Sequence, residues 1–311
     1  MDRIEAMKVF VAALDEGSLA GAGRRLARSP AAVSRAIALL EQHIGAELLH
    51  RTTRTLKLSE AGERYASACR RILADLEEAE LSAAGERVAP RGTLTISVPP
   101  ISGEEILRPI LDAYLDAYPE VSANLVLLDR YVSLVEEGID VALRVAELPD
   151  SSLVAVRVGG DVKRVIVASP RYLAGHPPIL EPADLGKHRI ITTTHFGHDA
   201  WVFPPAAGSA ISRSVHFKPR LVVNSVRAAL ASAVDGHGVT RLYTYHVAER
   251  VQDGSLKVIL RNAEPSALPV HLLTPQGRNS VPKVRAFMDF AVPRLRAEFS
   301  RLSVQAQAFQ G

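Results

Sequence analysis

Between Ala20 and Lys57 stand seven cations, Arg24, Arg25, Arg28, Arg35, Arg51, Arg54 and Lys57, against two carboxylates, Glu41 and Glu47. Guanidinium groups at this density neutralise phosphate oxygens. A serine beside an arginine, as at Ser34-Arg35, can also reach base edges, so the chemistry on offer is that of a double-stranded DNA surface. The whole chain carries 37 basic and 34 acidic residues and a net charge of only +3. Overall charge therefore selects no nucleic-acid binder, and the signal lies in position.

The elements needed to hold these groups can be read around them. Ile4, Met7, Phe10, Val11 and Leu14 recur at three- and four-residue steps and predict a helix over 3–15, ended by Gly17. Ser18 caps a second short helix that carries Leu19, Ala22 and Leu26 inward. Ser29 and Pro30 supply the N-cap and first-turn proline of a third. Val33, Ile37, Leu40 and Ile44 give that helix its inner face, which turns Ala31, Ser34, Arg35 and Ala38 outward. A small, polar and basic face suits entry into a major groove roughly 12 Å wide, where bulky groups would hold the backbone away. After Gly45 the run from Leu48 to Leu58 alternates weakly around threonine and arginine, as a two-stranded wing along a phosphate backbone would.

The order Phe10, Gly17-Ser18-Leu19, Arg24-Arg25-Leu26, Ser29-Pro30-Ala31-Ala32-Val33-Ser34-Arg35, Ile37, Leu40-Glu41, Gly45, Leu48-Leu49, Arg51, Leu58-Ser59-Glu60-Ala61-Gly62 closely resembles the amino-terminal domain of LysR-type transcriptional regulators. The likeness continues, with fewer motifs, to about residue 300, in that family's domain order. It implies that the third helix reads the major groove and the wing contacts the backbone. Ser34, Arg35, Arg51 and Arg54 then take DNA-contact roles, and Ser29 and Pro30 set the start of the reading helix. Gly21 and Gly23 depart from the pattern, standing where such proteins more often have alanine. Each is expected to weaken a helix interior by roughly 0.5–1 kcal/mol. Arg28 occupies a turn position that is frequently apolar, which suggests an extra phosphate contact.

Ser59 can cap a helix whose first turn holds Glu60 and Glu63, well placed for the helix dipole. Tyr65, Ala68, Ile72, Leu76 and Ala79 follow at seam spacing up to Gly85, predicting a helix of roughly 25 residues and about 38 Å. The stripe packs either on its own chain or on a second copy, and its place between two domains favours the second copy. The resemblance implies a linker-helix homodimer, often joined into a homotetramer, and leaves RNA polymerase open as a further partner. Two copies present two reading helices to two half-sites, which predicts a pseudo-palindromic site.

Residues 85 to 92 have linker composition, and the texture then changes. Thr93–Val98 and Val121–Leu128 read as strands, Glu104–Tyr118 as a helix stopped by Pro119, Tyr131–Glu137 as a short helix and Ile139–Val145 as a strand. A second series runs through Val162–Ala168, Arg189–Thr194, Leu221–Val223, Val226–Val234, Val239–Leu242 and Leu256–Leu260. Leu268–Leu273 looks like a strand returning to the first lobe, followed by a terminal helix from Val281 that Pro293 should kink or divide. The expected fold class is α/β: a winged helix-turn-helix over 1–59, a linker and dimerisation helix over 60–90, and a two-lobed domain over 91–302. Its first lobe comprises 91–161 and 268–302, and its second 162–267.

Two α/β lobes joined by two crossing strands form a cleft, and ligands in open α/β sheets sit beyond the carboxyl ends of strands. Pro100, Ile101 and Ser102 follow the first lobe's opening strand, where helix-start amides and the Ser102 hydroxyl could hold a carboxylate. Thr194, His195 and Phe196 follow a strand of the second lobe, Asn224 and Ser225 start another helix, and Arg144 is a candidate counter-charge. Serine and asparagine favour helix starts with no ligand present, so capping and effector contact stay open for each. The resemblance implies a small-molecule effector in this cleft, in a domain similar to periplasmic solute-binding proteins.

His195 and His198 find no further ligands that would complete a metal set. Cys69 is the only cysteine, so no internal disulfide can form. No nucleophile elbow or phosphate-binding loop occurs, and neither enzymatic activity nor a cofactor is expected. With no export signal and no apolar run of membrane length, a soluble cytoplasmic protein is expected. Residues from Ser303 to Gly311 look like a frayed tail. The reading is a ligand-responsive, sequence-specific transcription factor. The alternatives are a regulator whose α/β part serves only assembly and, more distantly, a solute-binding module or enzyme carrying a DNA domain.

Overall fold

The computed structural model describes residues 2–50, 56–83, 89–130, 132–148, 153–194, 199–205 and 211–308. The chain divides into two compact units, Met1–Gly92 and Thr93–Gly311.

In the first unit α1 (Arg3–Asp15), α2 (Leu19–Arg25) and α3 (Pro30–Ile44) precede a two-stranded wing, β1 (Leu49–His50) and β2 (Lys57–Leu58), and α4 (Glu60–Ala83). The predicted punctuation is in place. Gly17 has a left-handed φ of 62°, and the Ser18 and Ser29 hydroxyls accept from the backbone N–H of Gly21 and Ala32 at 3.0 and 3.2 Å. The single stripe expected of α1 is too narrow. Ala6, Met7, Val9, Phe10, Ala12 and Ala13 are all buried, because α2, α3 and α4 pack on different sides of this helix. On α3 the inner face is Val33, Ala36, Ile37 and Leu40, whereas Ile44, expected inside, is 38% exposed in the last turn.

The second unit holds two five-stranded mixed sheets. Its elements are β3 (Gly92–Val98), α5 (Arg108–Ala117), β4 (Val121–Leu127), β5 (Val141–Val145), β6 (Leu153–Val162), β7 (Arg164–Ala168), α6 (Pro170–Ala174), β8 (Ile190–Thr193), β9 (Ala200–Phe203), β10 (Arg213–His216), β11 (Leu221–Val223), α7 (Val226–Val234), β12 (Val239–Tyr243), α8 (Thr244–Gln252), β13 (Lys257–Ile259), β14 (Leu268–Pro275) and α9 (Pro282–Ala308). The first lobe orders its strands β4-β3-β5-β14-β6 and the second β11-β8-β12-β7-β13. The chain leaves the first sheet along β6 and returns along β14, which pair antiparallel from Leu268↔Val162 to Pro275↔Leu153.

The fold departs from several of the expected elements. The predicted strand Val162–Ala168 breaks at Lys163, since Val162 ends β6 in one sheet and Arg164 begins β7 in the other. Of the helix placed at Tyr131–Glu137, Tyr131 lies outside the described residues and the remainder is not helical: Leu134–Gly138 forms one turn, closed when the N–H of Ile139 donates to the Leu134 carbonyl at 2.8 Å around Gly138 at φ 67°. The helix placed at Glu104–Tyr118 opens with a π-helical stretch, Ser102–Leu107, before α5. Pro109 offers no N–H to close onto the preceding turn, and the backbone ahead of it winds wider. Finally, α9 runs undivided through Pro293 to Ala308, with helix where a frayed tail was expected. Pro293 and Asp289, whose carbonyl the proline leaves unbonded, both lie on the exposed side, while Phe287, Ala291, Leu295 and Phe299 anchor the buried side on either flank. Among the described residues, no helix is long and apolar enough to cross a membrane.

Candidate DNA-binding surface and effector cleft

The outer face of α3 presents Ala31, Ser34, Arg35 and Ala38, all exposed. The helix is fixed at both ends. Pro30 stands in the first turn behind the Ser29 cap, and Gly45 closes the last turn at φ 74°. Near that end a Glu41 carboxylate oxygen accepts from the backbone N–H of Leu48 and Leu49, at 2.8 and 3.2 Å. Both leucines are buried, and Leu49 pairs with Leu58 across the wing. One carboxylate therefore ties the reading helix to the base of the wing, a role that sequence reading missed. Arg51 and Arg54, at the predicted wing tip, lie outside the described residues.

The turn before α3 reverses the expectation for Gly23. The N–H of Arg28 donates to the Gly23 carbonyl at 2.8 Å, and a Cβ on Gly23 would meet the Arg28 carbonyl oxygen at 2.6 Å. At Gly21 a Cβ would meet Glu16 Cβ and the capping Ser18 hydroxyl, each at 2.8 Å. The glycines permit the close turn rather than merely weakening a helix. Arg28, suggested as a phosphate contact, pairs with Glu5 at 2.6 Å, and Arg25 lies near Asp15 and Glu16 at 3.5 and 3.7 Å. Among the described residues, Arg24, Arg35 and Lys57 are exposed and make no intramolecular ion pair.

Helix α4 has two apolar sides. Ser59 caps it, its hydroxyl accepting from the Gly62 N–H at 2.9 Å. Ala66 and Cys69 are buried in the head's core, with Tyr65 and Leu73 packed against it. Tyr65, assigned to the seam, instead faces Phe10 at a ring separation of 6.0 Å. Burial pushes its hydroxyl up to about 12 and raises the Cys69 thiol. Ala68 and Leu76 are half-buried and Ile72 is 41% exposed, so this side carries the unfilled stripe. The side chain of Ala79 lies outside the described residues.

In the second unit the expected cleft residues separate. Ser102 is fully buried, its hydroxyl 2.8 Å from that of Tyr245, so it links the lobes instead of facing open solvent. Pro100 and Ile101 open the same helix, with Ile101 buried. Thr194, Asn224 and Ser225 lie together and exposed at the ends of β8 and β11. There the Thr194 N–H donates to the Val223 carbonyl at 2.9 Å and Ser225 caps α7. His195 and Phe196 lie outside the described residues. Arg227 in α7 pairs across the lobes with Glu104 and Glu105.

Among the described residues, Arg144 lines an interlobe cavity of about 90 Å³. Its guanidinium is buried and donates to the Leu143 carbonyl and the Ser97 hydroxyl, each at 2.8 Å. Facing it are Arg164, Tyr243, Tyr245 and His246 from the second lobe. Burial, and to a lesser degree the charge of Arg227, holds His246 down at about 3, so this imidazole is neutral; it accepts from the Tyr243 N–H at 3.3 Å. Burial likewise raises the Tyr245 hydroxyl. Sequence reading passed over Arg164 and Arg241, although a charged residue inside a strand-length apolar run was a signal.

Two family models divide the chain at nearly the same place. "Bacterial regulatory helix-turn-helix protein, lysR family" matches residues 4–63, and "LysR substrate binding domain" matches 87–296. An HTH-type transcriptional regulator of Xanthomonas campestris is 32% identical over 96% of this chain and 88% of its own. The regulator CrgA of Neisseria meningitidis is 30% identical over 94% and 96%. The solved structure of CrgA covers 94% of this chain and 98% of its own at 29% identity and a TM-score of 0.58. Full-length AphB of Vibrio cholerae, described as a virulence activator, covers 94% and 99% at 26% identity and a TM-score of 0.60. With a capped reading helix braced against a wing, a two-lobed second unit, and likeness running along nearly its whole length, the chain belongs to the LysR family of transcriptional regulators, with a DNA-binding helix-turn-helix domain and an effector-binding domain.

Proposed function

We propose that the protein binds pseudo-palindromic promoter sites as an oligomer and adjusts that binding to a small molecule held between its lobes. The observation that carries the first part is the outer face of α3, where Ser34 and Arg35 project from a helix capped by Ser29 and started by Pro30. Arg35 reads base edges; Arg51 and Arg54 of the wing hold phosphates. The side of α4 bearing Ala68, Ile72 and Leu76 pairs with a second copy, giving a homodimer that can assemble to a tetramer, and 2:1 placement on paired half-sites follows. An effector that binds open and closed lobes unequally shifts the balance between them, and the oligomer transmits the change to the spacing and bend of the DNA. The setting is the cytoplasm, with RNA polymerase as the partner downstream.

Footprinting of the DNA upstream of the protein's own gene and its divergent neighbour, at several salt concentrations with unrelated DNA as competitor, tests this. A protected pair of half-sites is expected. Salt-labile, sequence-blind binding alone would refute specific regulation.

A further inference from the structure

Four backbone N–H groups of the segment after α3 converge on one residue. The Glu41 carbonyl accepts from Gly45 and Ala46 at 2.8 and 3.3 Å, and one oxygen of its carboxylate accepts from Leu48 and Leu49. A carboxylate in the last turn of a helix opposes the helix dipole, so what favours Glu41 here is this set of donors and not its place in α3. The other side of the same segment is held by α4. The Ser59 N–H donates to the Leu48 carbonyl at 3.0 Å. The Ser59 hydroxyl, which caps α4 by accepting from Gly62, donates to the Glu47 carbonyl at 2.5 Å. Gly62, buried in the first turn of α4, lets the two pieces meet: a Cβ there would overlap the Leu48 carbonyl oxygen. The Leu48 peptide is thus bonded from both sides, its N–H to α3 and its carbonyl to the start of α4, with the Leu48 side chain fully buried between them.

We infer that residues 47–49 form a rigid joint that holds the reading helix, the base of the wing and the first turn of α4 as one body, with Glu41 and Gly62 as positioning residues for DNA binding. Glu41 sets the wing against α3, and Gly62 sets α4 against the wing. The inference rests on the reading of the wing as a phosphate contact. Two consequences follow from the geometry. The wing meets DNA already in place, so binding is not weakened by the entropy of ordering it. A reorientation of α4 cannot be absorbed at the wing's base. It carries the reading helix with it, and also Lys57, which lies exposed on β2 opposite His50.

The test compares Glu41→Ala with Glu41→Gln in the full-length protein. Both remove the same negative charge from the head, but the glutamine amide oxygen still accepts from Leu48 and Leu49. In the alanine variant DNA must itself order the joint, and two hydrogen bonds contribute enough that losing both weakens binding by about ten-fold. The expected result is an affinity for the footprinted DNA about ten-fold weaker in Glu41→Ala than in Glu41→Gln, measured well below the melting temperature of both so that the folded fraction plays no part. Amide hydrogen exchange at Leu48 and Leu49 should be faster in the alanine variant, with Phe10 in α1 unchanged. Equal affinities in the two folded variants would overturn the positioning role, and equal exchange at Leu48 and Leu49 would overturn the joint. Gly62→Ala should also weaken binding, and unchanged affinity there would free α4 from the wing; should it fail to fold, the Glu41 pair carries the test. A salt slope indifferent to Arg51→Ala and Arg54→Ala would instead remove the wing as a phosphate contact, and exchange at Leu48 and Leu49 then decides the joint by itself.

Discussion

Replacing Gly23 by alanine sets helix propensity directly against packing. In an isolated helix the change would stabilise by roughly 1 kcal/mol. Here the new Cβ would lie 2.6 Å from the Arg28 carbonyl oxygen, a backbone atom that cannot move without the turn. The turn also holds the Arg28 N–H to the Gly23 carbonyl at 2.8 Å and leads directly into the Ser29 cap of α3. Overpacking of this kind costs about 1–3 kcal/mol, and loss of the turn's hydrogen bond about 0.5–1.5 kcal/mol more. After the propensity gain is subtracted, Gly23→Ala should destabilise the head by about 0.5–3.5 kcal/mol. For a unit of 92 residues that corresponds to a fall in Tm of roughly 2–28 °C. Calorimetry of the full chain, with the footprint as reporter of the head, measures it. A Gly23→Ala protein as stable as the parent, or more stable, would refute the argument that packing outweighs propensity in this turn.

Arg35→Ala should weaken binding to the footprinted site more than binding to unrelated DNA, and equal losses in competition assays would remove its base-reading role. Arg51→Ala or Arg54→Ala should weaken binding to all sequences and flatten the slope of log affinity against log salt by about one unit; an unchanged slope argues against phosphate contacts. Ile72→Glu should shift sedimentation towards monomer while the head's melting transition stays in place, because Ile72 is exposed and the head-packed side of α4 is Ala66 and Cys69. A persisting oligomer would place the seam elsewhere. His246 stays neutral in the fold down to about pH 3, whereas in the unfolded chain it protonates near pH 6.5, so the unfolded state binds the extra proton and stability falls as pH drops through that window. Denaturation at pH 7 and pH 5 should show a loss of up to about 2 kcal/mol that His246→Gln removes, and an identical loss in the variant would assign the proton to another group.

The head was legible from its residues alone. Its helices are short, their punctuation is local, and the hydroxyls of Ser18, Ser29 and Ser59 each accept from a backbone N–H three residues on, an interaction that needs no distant part of the chain. The exposed face of α3 follows from period alone, as do the returning strand β14 and the alternation of strand and helix. Whatever depended on a second element emerged only from packing in three dimensions. Packing put Tyr65 on Phe10 instead of the seam, buried α1 on several sides, carried α9 through Pro293 by gripping its buried side, and turned two apparent helix defects into necessary glycines. The cleft was the least legible. Arg144 and Arg164 are 20 positions apart and in different sheets, and Ser102 meets Tyr245 across 143 positions. A sequence pattern reports the face a residue presents, but a shared cavity wall and hydrogen-bond capture arise only when strands of two lobes close on one volume.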